Sequence, residues 1–175
     1  MIKKILVPTD GSDHANKAVE LAADLAAKYD ADLVVLHVLM HNTSVYDLKA
    51  LAEKLNAPAD VIDELERVGQ AMVDASGTGY GGPVFLPASP DTLRQIAGLI
   101  CENAQQRAAS HAAEKVEVRV SDGAPADAIL EAAEKEGADM IVMGSRGLGK
   151  IADLLMGSVS HRVSHLSKVT CITVK

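Results

Sequence analysis

The sequence predicts a doubly wound α/β fold: a five-stranded parallel sheet of the Rossmann-like kind with helices on both faces, and a long helical and loop insert after the second strand. Two observations carry this. Short apolar runs rich in branched residues recur at 2–7, 32–39 and 139–143, each bounded by turn residues, and amphipathic helical patterns alternate with them. A length of 175 residues fits one domain, residues 1–175.

Residues Ile2 to Val7 form the first run, and Pro8-Thr9-Asp10-Gly11-Ser12 after it reads as a loop. Ala15, Ala18, Val19, Ala22, Leu25, Ala26 and Tyr29 then recur at three- and four-residue steps, the spacing of one helical face. Asp32 to Leu39 is again continuously apolar, as a parallel strand covered on both faces should be. Residues 40–112 are the insert. Leu48, Leu51, Leu55, Val61, Ile62, Leu65, Val68 and Met72 predict one or two helices, Ser76 to Pro90 a long glycine- and proline-rich loop, and Thr92 to Ala113 a helix crossing to the next strand. In that strand Val116, Val118 and Val120 alternate. Pro125 to Glu136 follows as a helix, with proline in its first turn and Gly137 past its end. Asp139 to Met143 is a buried strand, Ile151 to Leu166 a helical stretch interrupted at Gly157-Ser158, and Val169 to Val174 the last strand, at an edge of the sheet.

Composition removes several function classes. Aromatic residues make up 2% of the chain, so no row of rings is available to stack bases. A net charge of -7 disfavours nonspecific binding to a nucleic-acid backbone or an anionic bilayer. Cys101 and Cys171 stand far apart without a CxxC, which leaves neither a disulfide framework nor a zinc site. The opening MIKKILVPTD has too short an apolar run for a leader, and no run reaches membrane-spanning length, so the expected compartment is the cytoplasm.

The chemistry concentrates in Met143 to Ser160, MGSRGLGKIADLLMGSVS, at the carboxyl end of a predicted strand, where open α/β sheets bind ligands. Gly144 to Lys150 begins a Walker-type loop, but Ile151 stands where the metal-binding hydroxyl belongs. Gly147, Gly149 and Ala152 fit GxGxxA, but no acidic residue follows about twenty positions on. The third pattern, Gly144-x2-Gly147-x9-Gly157-Ser158, allows a close backbone approach to a polyphosphate and a second helix start facing the same anion. Ser158 and Ser160 add hydroxyls, and Arg146 and Lys150 positive charge. The same residues also describe an ordinary glycine turn with a serine cap, and spacing alone does not separate the two readings. Asp10 is likewise both a turn residue and a candidate acceptor. His161 and His165 have the spacing of a zinc pair without the glutamate of HExxH or a third ligand, so no metal site is assigned. His37, on a buried strand, reads as a hydrogen-bonded core residue. No catalytic residue is recognised.

VPTDGS at 7–12 before an alanine-rich helix, LHV at 36–38, DGAPADAIL at 122–130, and MGSRG with GSVS nine residues beyond its second glycine resemble the universal stress protein family. The resemblance covers roughly residues 1–40 and 113–175, and the glycine spacing is the mark of its ATP-binding branch. It implies a stress-response regulator that binds ATP, with or without Mg2+. Pro8, Thr9 and Asp10 would form the loop, Asp10 near the ribose; Val38 and Met143 would flank the adenine; and Gly144, Arg146, Gly147, Gly157, Ser158, Val159 and Ser160 would surround ribose and phosphates. It also implies a homodimer through Val169 to Val174, an edge with no proline or internal charge, and proline at Thr170 or Ile172 is expected to reveal which N–H points outward. The rivals are a nucleotide-hydrolysing or adenylating enzyme, against which the chain lacks an SGGxDS-type loop, and an interaction scaffold that binds no nucleotide. The regulated partner is not legible.

Overall fold

The computed structural model describes residues 1–77, 86–111, 113, 115–149 and 156–175. The elements in order are β1 (Lys4–Pro8), α1 (Asp13–Tyr29), β2 (Asp32–Val38), α2 (Val45–Lys54), α3 (Ala59–Gly77), α4 (Pro90–Ser110), β3 (Val116–Ser121), α5 (Pro125–Glu136), β4 (Met140–Gly144), α6 (Ser158–Leu166) and β5 (Thr170–Val174). Residues 78–85 of the glycine-rich loop, Lys150 and the start of the stretch from Ile151 lie outside the described residues. The chain forms two compact units, Met1–Leu39 with Ile100–Lys175, and Met40–Leu99.

The first unit is the predicted α/β sheet, five parallel strands in the order β3-β2-β1-β4-β5. Its apolar strands are buried on both faces because alternate residues feed two cores. Ile5, Val7, Leu33, Val35 and Val142 join α1 and the alanines Ala104 and Ala108 of α4 on one face. Leu6, Val34, Leu36, Val38, Ile141 and Met143 join α5 and α6 on the other. Small residues let α1 lie close: Ala18, Ala22 and Ala23 are wholly buried.

Local chemistry sets the helix ends. Ser12 caps α1 by accepting from Ala15 N at 3.3 Å, and α1 stops at Asp30, which takes a left-handed φ of 50°. Pro125 opens α5 and Gly137 closes it at φ 65°, as the sequence predicts. The β3 alternation marks an edge strand, with Glu117 and Arg119 exposed and Val120 52% exposed. β5 is the opposite edge.

In the second unit the helical pattern resolves into α2 and α3, with the start of α4. Tyr46 on α2 packs against Gly69 of α3 and donates its hydroxyl to the Gly69 carbonyl at 3.4 Å. Ser89 caps α4, its hydroxyl accepting from Thr92 N at 3.2 Å, and the Glu64 carboxylate braces this cap by accepting from the Thr92 hydroxyl and from Ser89 N at 3.1 Å, bonds that hold its pKa below the ordinary value. A cleft of about 480 Å³ between α2 and α3, lined by Val45, Tyr46, Leu65 and Val73, contains none of the predicted site residues.

Candidate functional site

The strand order reverses between β1 and β4. From β1 the chain turns to α1 on one face, and beyond β4 it reaches α6 on the other, which makes the carboxyl ends of β1 and β4 the switch point where open α/β sheets form their ligand crevice. The two loops that the sequence singles out meet there.

The β1 loop is held from two sides. Thr9 N donates to Leu36 O at 2.8 Å, and the Thr9 carbonyl accepts from His37 Nδ1 at 2.9 Å. Asp10 comes next, its Oδ1 accepting from Ser12 N at 3.0 Å and its Oδ2 from Leu148 N, also at 3.0 Å. The Asp10 carboxylate therefore ties the β1 loop to the glycine loop across the crevice. Gly147 is part of this tie, because a Cβ built on it would fall on Asp10 Oδ2. Its φ lies outside the left-handed region, so the need for glycine here is spatial.

Gly144 answers to a different neighbour. Its Cβ would lie 2.8 Å from Ala15 N and from the His14 carbonyl carbon, so the missing side chain lets the end of β4 sit against the first turn of α1. Gly157 has an extended φ of -70° and stands at the N-cap of α6, where no side chain caps the first turn. Ser158 and Val159 lie in that turn, with the backbone N–H groups that a helix start leaves unpaired. The Ser160 hydroxyl donates inward to Ser145 O at 2.8 Å, and Ser160 is 4% exposed.

Ser145 is the residue that the sequence reading missed. Its N–H donates to Val174 O at 2.7 Å, its carbonyl accepts from Gly157 N at 2.7 Å and from Ser160, and its hydroxyl meets His14 Nδ1 at 3.0 Å. It thus joins β5, α6 and α1 around the glycine loop. The only signal in the sequence was its place between Gly144 and Gly147, and a serine in a loop has many ordinary reasons to be there. Arg146 follows, half-buried, its carbonyl 3.5 Å from the Ser12 hydroxyl.

Val38 and Met143, 8% and 3% exposed, end β2 and β4 in the same apolar cluster. Pro8 and Thr9 at the end of β1 stand between them, so the two are roughly 10 Å apart, two strand spacings. His161 and His165 stack in parallel on α6, with ring centroids 6.4 Å apart. Among the described residues no group of three His, Cys, Asp or Glu gathers to hold a metal.

The family model of the universal stress protein family matches residues 1–175. The chain belongs to this family. The match spans the middle segment as well as the two parts in which the sequence shows the resemblance. The chain is similar to the universal stress protein YxiE of Bacillus subtilis, 31% identical over 175 residues covering all of both chains. It is similar too to the universal stress protein Rv1636 of Mycobacterium tuberculosis, 33% identical over 173 residues that cover 98% of this chain and 95% of the relative. Among solved structures, a crystal structure of a universal stress protein in complex with cAMP aligns with a TM-score of 0.60 at 25% identity, covering 99% of this chain and 96% of that one. The five-stranded parallel sheet is thus a universal stress protein fold. No helix among the described residues is long and apolar enough to cross a membrane.

Proposed function

We propose that this universal stress protein binds ATP in the crevice between β1 and β4 and acts as a nucleotide-responsive regulator in the cytoplasm. The observation that carries the reading is the convergence there of three complementary groups. Asp10 offers a carboxylate with lone pairs left for sugar hydroxyls, Gly147 leaves room beside it, and α6 begins with a turn that no side chain caps. Val38 and Met143 supply the apolar border for a base, Pro8 and Thr9 the loop between them, while Gly144, Gly157 and Ser160 shape the backbone around ribose and phosphates. Arg146, Ser158 and Val159 would serve the phosphates. The cAMP held by a relative supports an adenine nucleotide as the ligand class. A Mg2+ ion accompanying ATP would be held through phosphate oxygens and water.

The protein, in this reading, is a homodimer through β5 and a single family domain over residues 1–175 with its insert in the middle. What supports the dimer is the contrast between the two edges. β3 carries Glu117 and Arg119, whereas Thr170–Val174 carries no charge and no proline. A regulatory protein partner would read the nucleotide state.

Heat-denaturing the purified protein and chromatographing the supernatant tests the ligand. Stoichiometric ATP is expected, and ATP should titrate calorimetrically into the emptied protein. Mainly ADP or AMP would favour the hydrolysing enzyme, and no nucleotide together with no titration signal would favour the scaffold.

A further inference from the structure

From Leu33 to Val38, β2 is apolar except for His37, which is 1% exposed. The ring is held from one side only. A backbone carbonyl can only accept, so the 2.9 Å contact with Thr9 O places the proton on Nδ1 and leaves Nε2 a bare acceptor in the neutral ring. Nε2 is the one buried side-chain nitrogen or oxygen without a hydrogen-bond partner among the described residues. Burial is also the larger influence on its pKa, lowering it against the opposing pull of the Thr9 bond and the Asp10 charge. A buried, half-satisfied imidazole costs stability that an aliphatic side chain like those of its neighbours would avoid. Its presence is better explained by what Nδ1 does.

Thr9 is fixed through both of its backbone groups, its N–H by Leu36 O and its carbonyl by His37. Asp10 leaves this clamp directly, and its two oxygens then reach Ser12 N and Leu148 N. A small rotation at Thr9 would swing the carboxylate off Leu148, which lies across the crevice.

We infer that His37 is a positioning residue: through Thr9 it sets where the Asp10 carboxylate stands against the glycine loop, and so sets the affinity for the hydroxyl-bearing part of the ligand without touching it. The second half of this inference rests on the nucleotide reading; the first does not.

The test uses three variants of the full chain. In His37→Asn the amide nitrogen takes the place of Nδ1 and still donates to Thr9. In His37→Gln the amide reaches only the place of Nε2, and His37→Leu has no donor. In the ligand-free protein, the Leu148 amide should exchange with solvent about tenfold faster in the Leu and Gln variants and close to the native rate in the Asn variant. Calorimetry should show ATP affinity falling about tenfold in Leu and Gln, restored in Asn, with inorganic triphosphate bound equally by all. Native Leu148 exchange in a folded Leu or Gln variant would overturn the inference, as would parallel losses of ATP and triphosphate. Should His37→Leu fail to fold, the Asn and Gln pair decides. A native protein that does not bind ATP would sink the nucleotide reading, and Leu148 exchange would still decide the role of His37.

Discussion

A methyl group on Gly147 would occupy the place of Asp10 Oδ2, so Gly147→Ala should push the carboxylate away from Leu148 with little effect on the backbone, whose φ an alanine can adopt. Losing a charge-assisted bond of about 1.5–3 kcal/mol predicts an ATP affinity weakened by roughly ten- to a hundredfold. Titration with inorganic triphosphate separates the causes, because a glycine needed by the phosphates themselves would lose both ligands. His37 carries a second expectation at this scale. Its folded pKa lies below the ordinary value of 6.5, so the unfolded chain takes up its proton first as the pH falls. The stability that the neutral ring retains above pH 6.5 is lost as the pH falls through the folded value. Urea midpoints between pH 7 and pH 5 should therefore decline more steeply in the native protein than in His37→Leu. Identical slopes would mean that the ring titrates alike in both states.

At the scale of the element, two glycines in different settings should behave oppositely. Gly144→Ala brings a Cβ to 2.8 Å from backbone atoms at the start of α1, and neither β4 nor the helix can yield cheaply. Overpacking of this kind costs about 1–3 kcal/mol. Gly98 sits exposed inside α4 with nothing within 4 Å of its Cβ position, so Gly98→Ala should add about 0.5–1 kcal/mol through helix propensity. Denaturant unfolding of both variants checks the contrast, and equal effects would contradict the packing described for β4 and α1. The Glu64 brace on the Ser89 cap of α4 has the same acid sensitivity as any carboxylate with a lowered pKa. It stabilises above its ordinary value of 4.5 and is lost as the pH falls through the folded value.

For the whole molecule, the geometry of β5 revises how its edge should be tested. Val174 O accepts from Ser145 N on the β4 side, and the backbone groups of alternate residues point the same way. Thr170 and Ile172 therefore face β4, and proline at either would break the sheet's own ladder without revealing an outward N–H. Cys171 and Thr173 face the free edge. Thr173→Pro should convert a β5-paired dimer to monomer with the fold intact, as light scattering would show. A dimer that survives Thr173→Pro would have to use another surface. With a net charge of -7 on each chain, association should also tighten as salt rises from millimolar to physiological strength.

The sequence by itself determined the succession of strands and helices, most of their ends, and the two loops that meet in the crevice. These depend on periodicity, caps and turn residues, which act over a few neighbouring positions. Pro125 and Gly137 mark α5 in this way, and the spacing from Gly144 to Gly157 marks the loop beyond β4. Only the tertiary structure decided what each group faces. Gly144 answers to α1 and Gly147 to Asp10, Ser145 joins three elements, Ser160 turns its hydroxyl inward, and His37 clamps Thr9. These contacts run from Gly157 with Ser145, 12 positions apart, to Gly147 with Asp10, 137 apart, and strand order and register set the long ones. A local pattern cannot encode a distant partner, so a glycine that spares a helix and one that spares a carboxylate read the same until the chain has folded.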